Sequence, residues 1–302
     1  MLGSFFRSLA DNSAARRLLT RNPIGRRMAA RFVAGETLEE AIGIASLLSS
    51  RGMRVALAYL GEHVTDAAQA REAAAVYEQA SQEIQRLNLP AYLSPKLTQL
   101  GLDISEGDCR ENLRAILNAA AQNSVFVRVD MEGSAYTETT LRIVEDLHRD
   151  FPNVGTVLQS YLHRTAADLE RLLEQSISVR VVKGAYSEPD EVAYQSQEEV
   201  ERSYKALVER ALSSGARVAV ATHNDDLLAH ARAFATQREV PIDNYEFQML
   251  YGIRRTEQER LVAAGFNVRV YVPFGPEWYP YFMRRLGERP ANAMFLLRNL
   301  FR

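Results

Sequence analysis

Short β-branched runs recur along the chain, separated by longer stretches whose apolar positions return every three or four residues. The runs fall at 54–60, 92–97, 125–130, 154–159, 179–183, 218–222, 245–249 and 268–272. Each has strand length and each is followed by a helical pattern, the alternation expected of a parallel sheet covered by helices. Ahead of them, Thr37-Leu38-Glu39-Glu40 reads as a capping box that opens a helix running through Ser46. Two closures satisfy this pattern, an open doubly wound sheet and a (β/α)8 barrel. Eight strands over roughly 250 residues favour the barrel. No G-x-G-x-x-G follows the first strand and no Walker loop is present, which weakens the dinucleotide-binding alternative. The expected organisation is an N-terminal helical arm over 1–45 and a TIM-type (β/α)8 barrel over 46–302.

A barrel carries its active site at the C-terminal strand ends, so the polar residues there are the informative ones. The second strand ends near Lys96, the third in Asp130, the fourth in Gln159 and the fifth in Lys183. The sixth ends in Thr222-His223-Asn224, the seventh near Gln248, and the eighth carries Tyr271. Seven strands bringing such groups to one rim describe a polar site rather than a set of structural caps. Lys96, Lys183 and Lys205 are the only lysines in the chain, and two of them are at that rim. A compact ammonium there suits neutralising a phosphate or carboxylate, or forming a Schiff base. After the last strand, Tyr281, Arg284, Arg285 and Glu288 share one helix face. Adjacent arginines suit a small carboxylate, since each guanidinium donates two parallel hydrogen bonds; a solvated Arg/Glu face is the alternative.

Arg180 lies on a strand buried on both faces, where an unpaired guanidinium would be costly. Asp130 is a candidate partner, and an electron-rich cofactor beside it is another reason for the charge. His223 has no second histidine at ligand spacing, so a hydrogen bond to backbone or ligand is expected and no metal. Ser160, His163 and Asp168 are the residue types of a hydrolytic triad but lack a G-x-S-x-G elbow.

Composition narrows the setting. The 302 residues are 47% hydrophobic and 25% charged, with 36 basic and 38 acidic side chains, a formal charge of −2. This balance gives no overall field to draw in nucleic acid. Cys109 is the only cysteine, which excludes an intrachain disulfide and agrees with a reducing compartment. No run approaches the ~20 apolar residues of a membrane span. Residues 1–35 carry Arg7, Arg16, Arg17, Arg21, Arg26, Arg27 and Arg31 against Asp11 alone, and Pro23-Ile24-Gly25 interrupts their periodicity. The arm reads as a solvated basic helix, or as a segment lying on anionic lipid. A cytoplasmic protein is expected, with peripheral contact at the inner face of the cell membrane as a role for the arm.

The motifs taken together resemble the monofunctional bacterial proline dehydrogenases, the FAD-dependent proline oxidase family. The matching stretches are Lys96 with Leu97-Thr98-Gln99-Leu100-Gly101, 126–132 (FVRVDME), Val157-Leu158-Gln159-Ser160-Tyr161 and 180–186 (RVVKGAY). Ala221-Thr222-His223-Asn224, Glu246-Phe247-Gln248 and Tyr281 through Glu288 complete the set, in the family's order. The resemblance implies a distorted (β/α)8 barrel with FAD across the strand ends, oxidising L-proline to Δ1-pyrroline-5-carboxylate by hydride transfer to flavin N5. It implies that Asp130 and Arg180 are catalytic, with Arg180 near the flavin N5 and N1 region. Lys183, Gly184, Ala185 and Tyr186 would meet the ribityl and pyrophosphate, and Asp130, Met131, Gln159, Thr222, His223 and Gln248 would complete the FAD contacts. Lys96, Arg284 and Arg285 would bind the substrate carboxylate, Tyr271 and Tyr281 would wall in the ring, and Glu288 would orient the basic groups. Tyr271 would also favour proline over hydroxyproline. Glu62 would pair with the first arginine as a gate.

Electrons would pass to a quinone-type acceptor, and the product to a separate pyrroline-5-carboxylate dehydrogenase. The bifunctional relatives add an aldehyde dehydrogenase domain and some add a DNA-binding module; this chain, ending at Arg302 and beginning with the arm, is expected to have neither activity. Two alternatives stand beside this reading: a Schiff-base aldolase with Lys183 as nucleophile, and a non-catalytic flavin or amino-acid binding protein.

Overall fold

A computed structural model describes residues 23–288. Its first half runs α1 (Pro23–Ala29), α2 (Leu38–Ser50), β1 (Arg54–Tyr59), α3 (Ala67–Arg86), β2 (Ala91–Leu93), α4 (Glu106–Gln122), β3 (Val127–Val129), α5 (Ser134–His148) and β4 (Val154–Gln159). The second half runs α6 (Thr165–Glu174), β5 (Val179–Val182), α7 (Gln197–Leu212), β6 (Val218–Ala221), α8 (Asp225–Gln237), β7 (Tyr245–Leu250), α9 (Arg255–Ala263), β8 (Val268–Phe274) and α10 (Trp278–Glu288). The eight strands pair in parallel in chain order, and β8 closes on β1, from Arg54 opposite Arg269 to Tyr59 opposite Phe274. The barrel is therefore the closure adopted.

Local chemistry starts the helices where the polar residues stand. The Thr37 hydroxyl accepts from the Glu40 amide at 3.3 Å and the Glu40 carboxylate accepts from the Thr37 amide at 3.0 Å, a complete capping box. Those backbone hydrogen bonds hold the Glu40 carboxyl below its ordinary pKa. The helix they open runs to Ser50, past the expected Ser46 and across residue 45, and its buried face (Ala41, Ala45 and Leu48) joins the barrel core. At α4, α7 and α8 the side chains of Ser105, Ser196 and Asn224 each accept one first-turn amide, from Asp108, Glu199 and Leu227. Between helices and strands lies a continuous apolar layer that includes Leu113, Ile116, Leu141, Val144 and Cys109. Burial pushes the Cys109 thiol up to about 12, so it behaves as a small apolar side chain.

The last described part of the N-terminal segment is built into the fold. Residues 23–25, expected to break a helix, lie in α1, where a proline at the first position lacks only an N–H that has no partner anyway. Met28, Phe32 and Val33 pack against Trp278, Phe282 and Leu286 of α10, while Arg27 and Arg31 face solvent. The chain then runs beside β8: the Ala34 amide donates to the Pro273 carbonyl at 2.8 Å and the Gly275 amide to that of Gly35 at 3.0 Å. Gly252 marks the tightest approach. It has φ +76°, and a Cβ there would lie 1.6 Å from the Arg31 carbonyl oxygen. Gly252→Ala is therefore expected to lower stability by about 1–3 kcal/mol, read as a drop in the urea midpoint; an unchanged midpoint would show that this seam does not contribute.

Candidate active site

The barrel interior supplies the floor of the site. In place of stacked branched side chains, charged and hydrogen-bonding groups from different strands meet across it. Arg180 on β5 is 5% exposed and donates through Nη1 to Asp130 Oδ1 at 2.8 Å. Its Nη2 donates to the Tyr92 hydroxyl at 2.9 Å and to Ser94 Oγ at 3.1 Å. Asp130 in turn accepts from Ser94 Oγ at 2.6 Å and from the Tyr271 hydroxyl at 2.7 Å. The Arg180 guanidinium carbon lies 5.4 Å from the Tyr271 ring centre. Burial opposes the Asp130 charge, yet Arg180 and Lys96 outweigh it and hold the carboxyl below its ordinary pKa. Burial also opposes the Arg180 charge, and Tyr92 and Asp130 overcome it, so the guanidinium is held firmly cationic. Beneath this layer Gln248 donates to the Tyr92 hydroxyl at 2.7 Å and to Glu246 at 2.6 Å, so Gln248 joins the same network.

Above the floor, a cavity of about 560 Å³ opens at the C-terminal strand ends, within the range of small-molecule sites. Glu62, after β1, bridges to α10: Arg284 donates to both its oxygens, at 3.1 and 2.8 Å. Lys96 stands between the two carboxylates, its Nζ 3.9 Å from Glu62 and 3.6 Å from Asp130. Burial would strip the proton from Lys96, but Tyr271, Asp130 and Glu62 raise its pKa well above the ordinary value. Glu62 is disfavoured by burial and held low by Lys96 and Arg284. Arg285 stacks 5.2 Å from the centre of the buried Tyr281 ring, so the face expected on α10 forms and turns into the cavity. Tyr186 faces the same space, its phenol raised chiefly by burial and by Glu62. The Glu288 side chain lies outside the described residues.

The remaining expected residues share this cavity, namely Met131, Gln159, Lys183, Gly184, Ala185, Thr222 and His223. Lys183 is ion-paired to Glu201 at 2.6 Å. Gly184 has φ +119°, and a Cβ there would meet the Tyr161 ring at 2.4 Å, so only glycine follows this path. Gln159 donates to the Glu132 carbonyl at 2.9 Å. His223 takes the backbone partner expected for it: Nε2 accepts from the Leu250 amide at 3.0 Å. The hydrolytic residue types do not converge. Ser160 donates to the Val200 carbonyl, His163 bonds the Asp190 carbonyl, and Asp168 pairs with Arg164. Tyr92, Ser94 and Glu201 were not singled out from the sequence. Tyr92 and Ser94 stand two apart, the spacing of one strand face, and that was the available signal.

Floor and rim together define a TIM-barrel enzyme site whose rim cations can take a small carboxylate. A family model for proline dehydrogenase matches residues 41–298. The chain is 40% identical over 274 residues to proline dehydrogenase 1 of Bacillus subtilis, covering 91% of each. It is 37% identical over 280 residues to proline dehydrogenase of Deinococcus radiodurans, covering 91% of this chain and 90% of that one. A crystal structure of proline utilization A (PutA) from Bdellovibrio bacteriovorus inactivated by N-propargylglycine superposes with TM-score 0.81 at 25% identity, over 87% of this chain and 32% of that one. The chain belongs to the proline dehydrogenase family. Its activity is accordingly that of a proline dehydrogenase, an oxidoreductase of proline catabolism.

The pKa of Asp130 is depressed in the folded state, so its charge stabilises the fold above the unfolded value of about 3.9. That contribution is lost as pH falls through the lower folded value. Asp130→Asn should leave Arg180 without its counter-charge and lower stability at neutral pH by about 3 kcal/mol or more. The variant's unfolding free energy should also fall less steeply below about pH 4; parallel pH profiles for variant and wild type would refute this.

Proposed function

We propose that the cavity holds FAD and L-proline together and that the chain oxidises proline to Δ1-pyrroline-5-carboxylate. The observation that carries this reading is the convergence of Lys96, Arg284 and Arg285 on one cavity whose floor presents the buried Arg180 guanidinium. Arg180 supports the cofactor assignment further, because its Nε is buried without a hydrogen-bond partner among the described residues. The residues present fit a flavin dinucleotide: Val157, Val182 and Leu250 offer apolar surface, and Lys183 with the Gly184 and Ala185 backbone offers cationic and amide donors. Met131, Gln159, Thr222, His223 and Gln248 complete the holding set. When bound, the flavin would accept a hydride at N5 from the substrate carbon beside nitrogen and deliver the electrons to a quinone-type acceptor.

The chain's own groups then have distinct tasks. Lys96, Arg284 and Arg285 bind the substrate carboxylate, and with it fixed, Tyr271 and Tyr281 hold the ring against the floor. Arg180 keeps positive charge where negative charge develops, and Asp130 fixes the direction of that guanidinium. Glu62 neutralises Arg284 until a substrate carboxylate takes its place, the behaviour of a gate. The product passes to a separate pyrroline-5-carboxylate dehydrogenase.

The visible spectrum of the purified protein tests the reading. Flavin absorbance bleached by anaerobic L-proline is expected, and a colourless protein that FAD does not reconstitute would overturn it. Arg284→Ala or Arg285→Ala should raise KM for proline about 10–100-fold, the loss of a charge-assisted hydrogen bond, with bound flavin retained. Loss of flavin at normal KM would reverse the assigned roles.

No helix among the described residues is long and apolar enough to cross a membrane. We propose that the arginines of the N-terminal arm give peripheral contact with anionic lipid at the cytoplasmic face. Removing residues 1–22, which leaves the packed Met28–Val33 seam intact, should abolish sedimentation with phosphatidylglycerol vesicles at low salt; equal sedimentation of the two forms would exclude that role.

A further inference from the structure

The opposite mouth of the barrel holds a second cavity, of about 420 Å³, at the N-terminal strand ends. This face of a TIM barrel ordinarily serves stability and is packed. Here four arginines line the opening, Arg54, Arg128, Arg217 and Arg269, against the two carboxylates Glu246 and Asp243, a net charge of +2. The carboxylate nearest the interior is already committed. Glu246 is bound by Arg269 at 2.7 and 3.0 Å, accepts from Gln248 at 2.6 Å, and has Arg54 3.7 Å away.

Arg128 is the anomaly. It is 4% exposed and makes no ion pair among the described residues. Its Nη1 donates to the Thr156 and Ser178 carbonyls at 2.9 and 3.0 Å and its Nη2 to Ser178 Oγ at 2.9 Å, all neutral acceptors, while its Nε has no partner. A buried guanidinium without a counter-charge is costly. Arg217, just before β6, is exposed and likewise has no side-chain ion pair among the described residues.

The other walls are apolar. Tyr92, Phe126 and Tyr245 line the same cavity, with Arg128 5.1 Å from the Phe126 ring centre and Arg269 4.1 Å from that of Tyr92. A bare inorganic ion would leave most of this surface without contact. We infer that the N-terminal mouth of the barrel binds a small organic oxyanion, its carboxylate or phosphate between Arg128 and Arg217 and its carbon skeleton against Tyr92, Phe126 and Tyr245. This site is separate from the proline site, and the inference does not depend on the reading of the upper cavity.

Isothermal titration of the full-length, flavin-loaded protein with phenyl phosphate and with benzoate tests the proposal, with benzyl alcohol as the neutral control. At least one anion should bind, and the neutral control should not. Because the rim cations of the upper cavity also take small carboxylates, only binding that Arg217→Ala weakens supports this site; phenyl phosphate alone then identifies a phosphate carrier and benzoate alone a carboxylate carrier. Arg217→Ala is exposed and remote from the upper cavity, so it should fold normally and weaken the bound anion about tenfold. Raising salt from about 50 to 200 mM should weaken it severalfold. Absence of binding by both anions, equal binding by the alcohol, or undiminished binding by Arg217→Ala would each overturn the assignment.

Discussion

Charge buried inside a closed barrel constrains everything else in this protein. Arg180 comes from β5 and Asp130 from the residue just past β3, and neither tolerates burial without the other. The Tyr92 and Ser94 groups that complete their hydrogen bonds come from β2 and the residue just past it, and Tyr271 comes from β8. A slip of one residue in any of these strands would turn its polar group outward and leave another orphaned inside. The ion pair that organises the site thus also fixes strand register, which branched apolar layers would specify less sharply. Fixing the direction of the Arg180 guanidinium and holding strand register are the same task.

The rim works on different terms. Arg284 and Glu62 are partly exposed, and an ion pair in contact with water contributes about 0–1 kcal/mol. Breaking the Arg284–Glu62 pair therefore costs little, while the Arg180–Asp130 pair below is fixed by burial and by three further hydrogen-bonding groups. Lys96 joins the two regimes, because it stands between Glu62 and Asp130 and feels both. A carboxylate arriving at the rim changes the charge seen by Lys96 without loosening the floor. This is the separation the proposed function requires, with a rim that exchanges its anion above a floor that stays fixed.

Most of this was legible in the sequence because strand ends are marked by composition. All eight expected runs contain or overlap an observed strand, and the rim residues Lys96, Asp130, Gln159, Lys183 and Tyr271 do share one cavity. Strand lengths were less legible. The run at 92–97 yields pairing only over Ala91–Leu93, since Ser94 turns its hydroxyl to Asp130 and Lys96 reaches for carboxylates. Tyr92 enters the sequence reading only as the first residue of the second strand run. Its role depends on two residues 88 and 156 positions away, Arg180 and Gln248, and no local pattern encodes such distances. The proposal of a flavin rests on family resemblance, because a cofactor spread over strand ends would leave no compact motif in the sequence. Residues 28–33 were grouped with a solvated arm on their arginines, although Met28, Phe32 and Val33 form the apolar stripe that meets α10.

The two mouths of the barrel are joined by the same polar interior. Tyr92 faces both: its hydroxyl accepts from Arg180 above, and its ring lies against Arg269 and Arg128 below. Burial opposes ionisation of its phenol, while the nearby Arg180, Arg128 and Arg269 guanidiniums pull its pKa below the ordinary value. Arg180 and Arg128 also disfavour each other's charge across this gap, and a like charge in a dry interior is poorly screened. An interior of interleaved leucine and valine would insulate one end from the other. An interior built of paired charges does not, so the electrostatic setting of Arg180 depends on what neutralises the arginines at the far end.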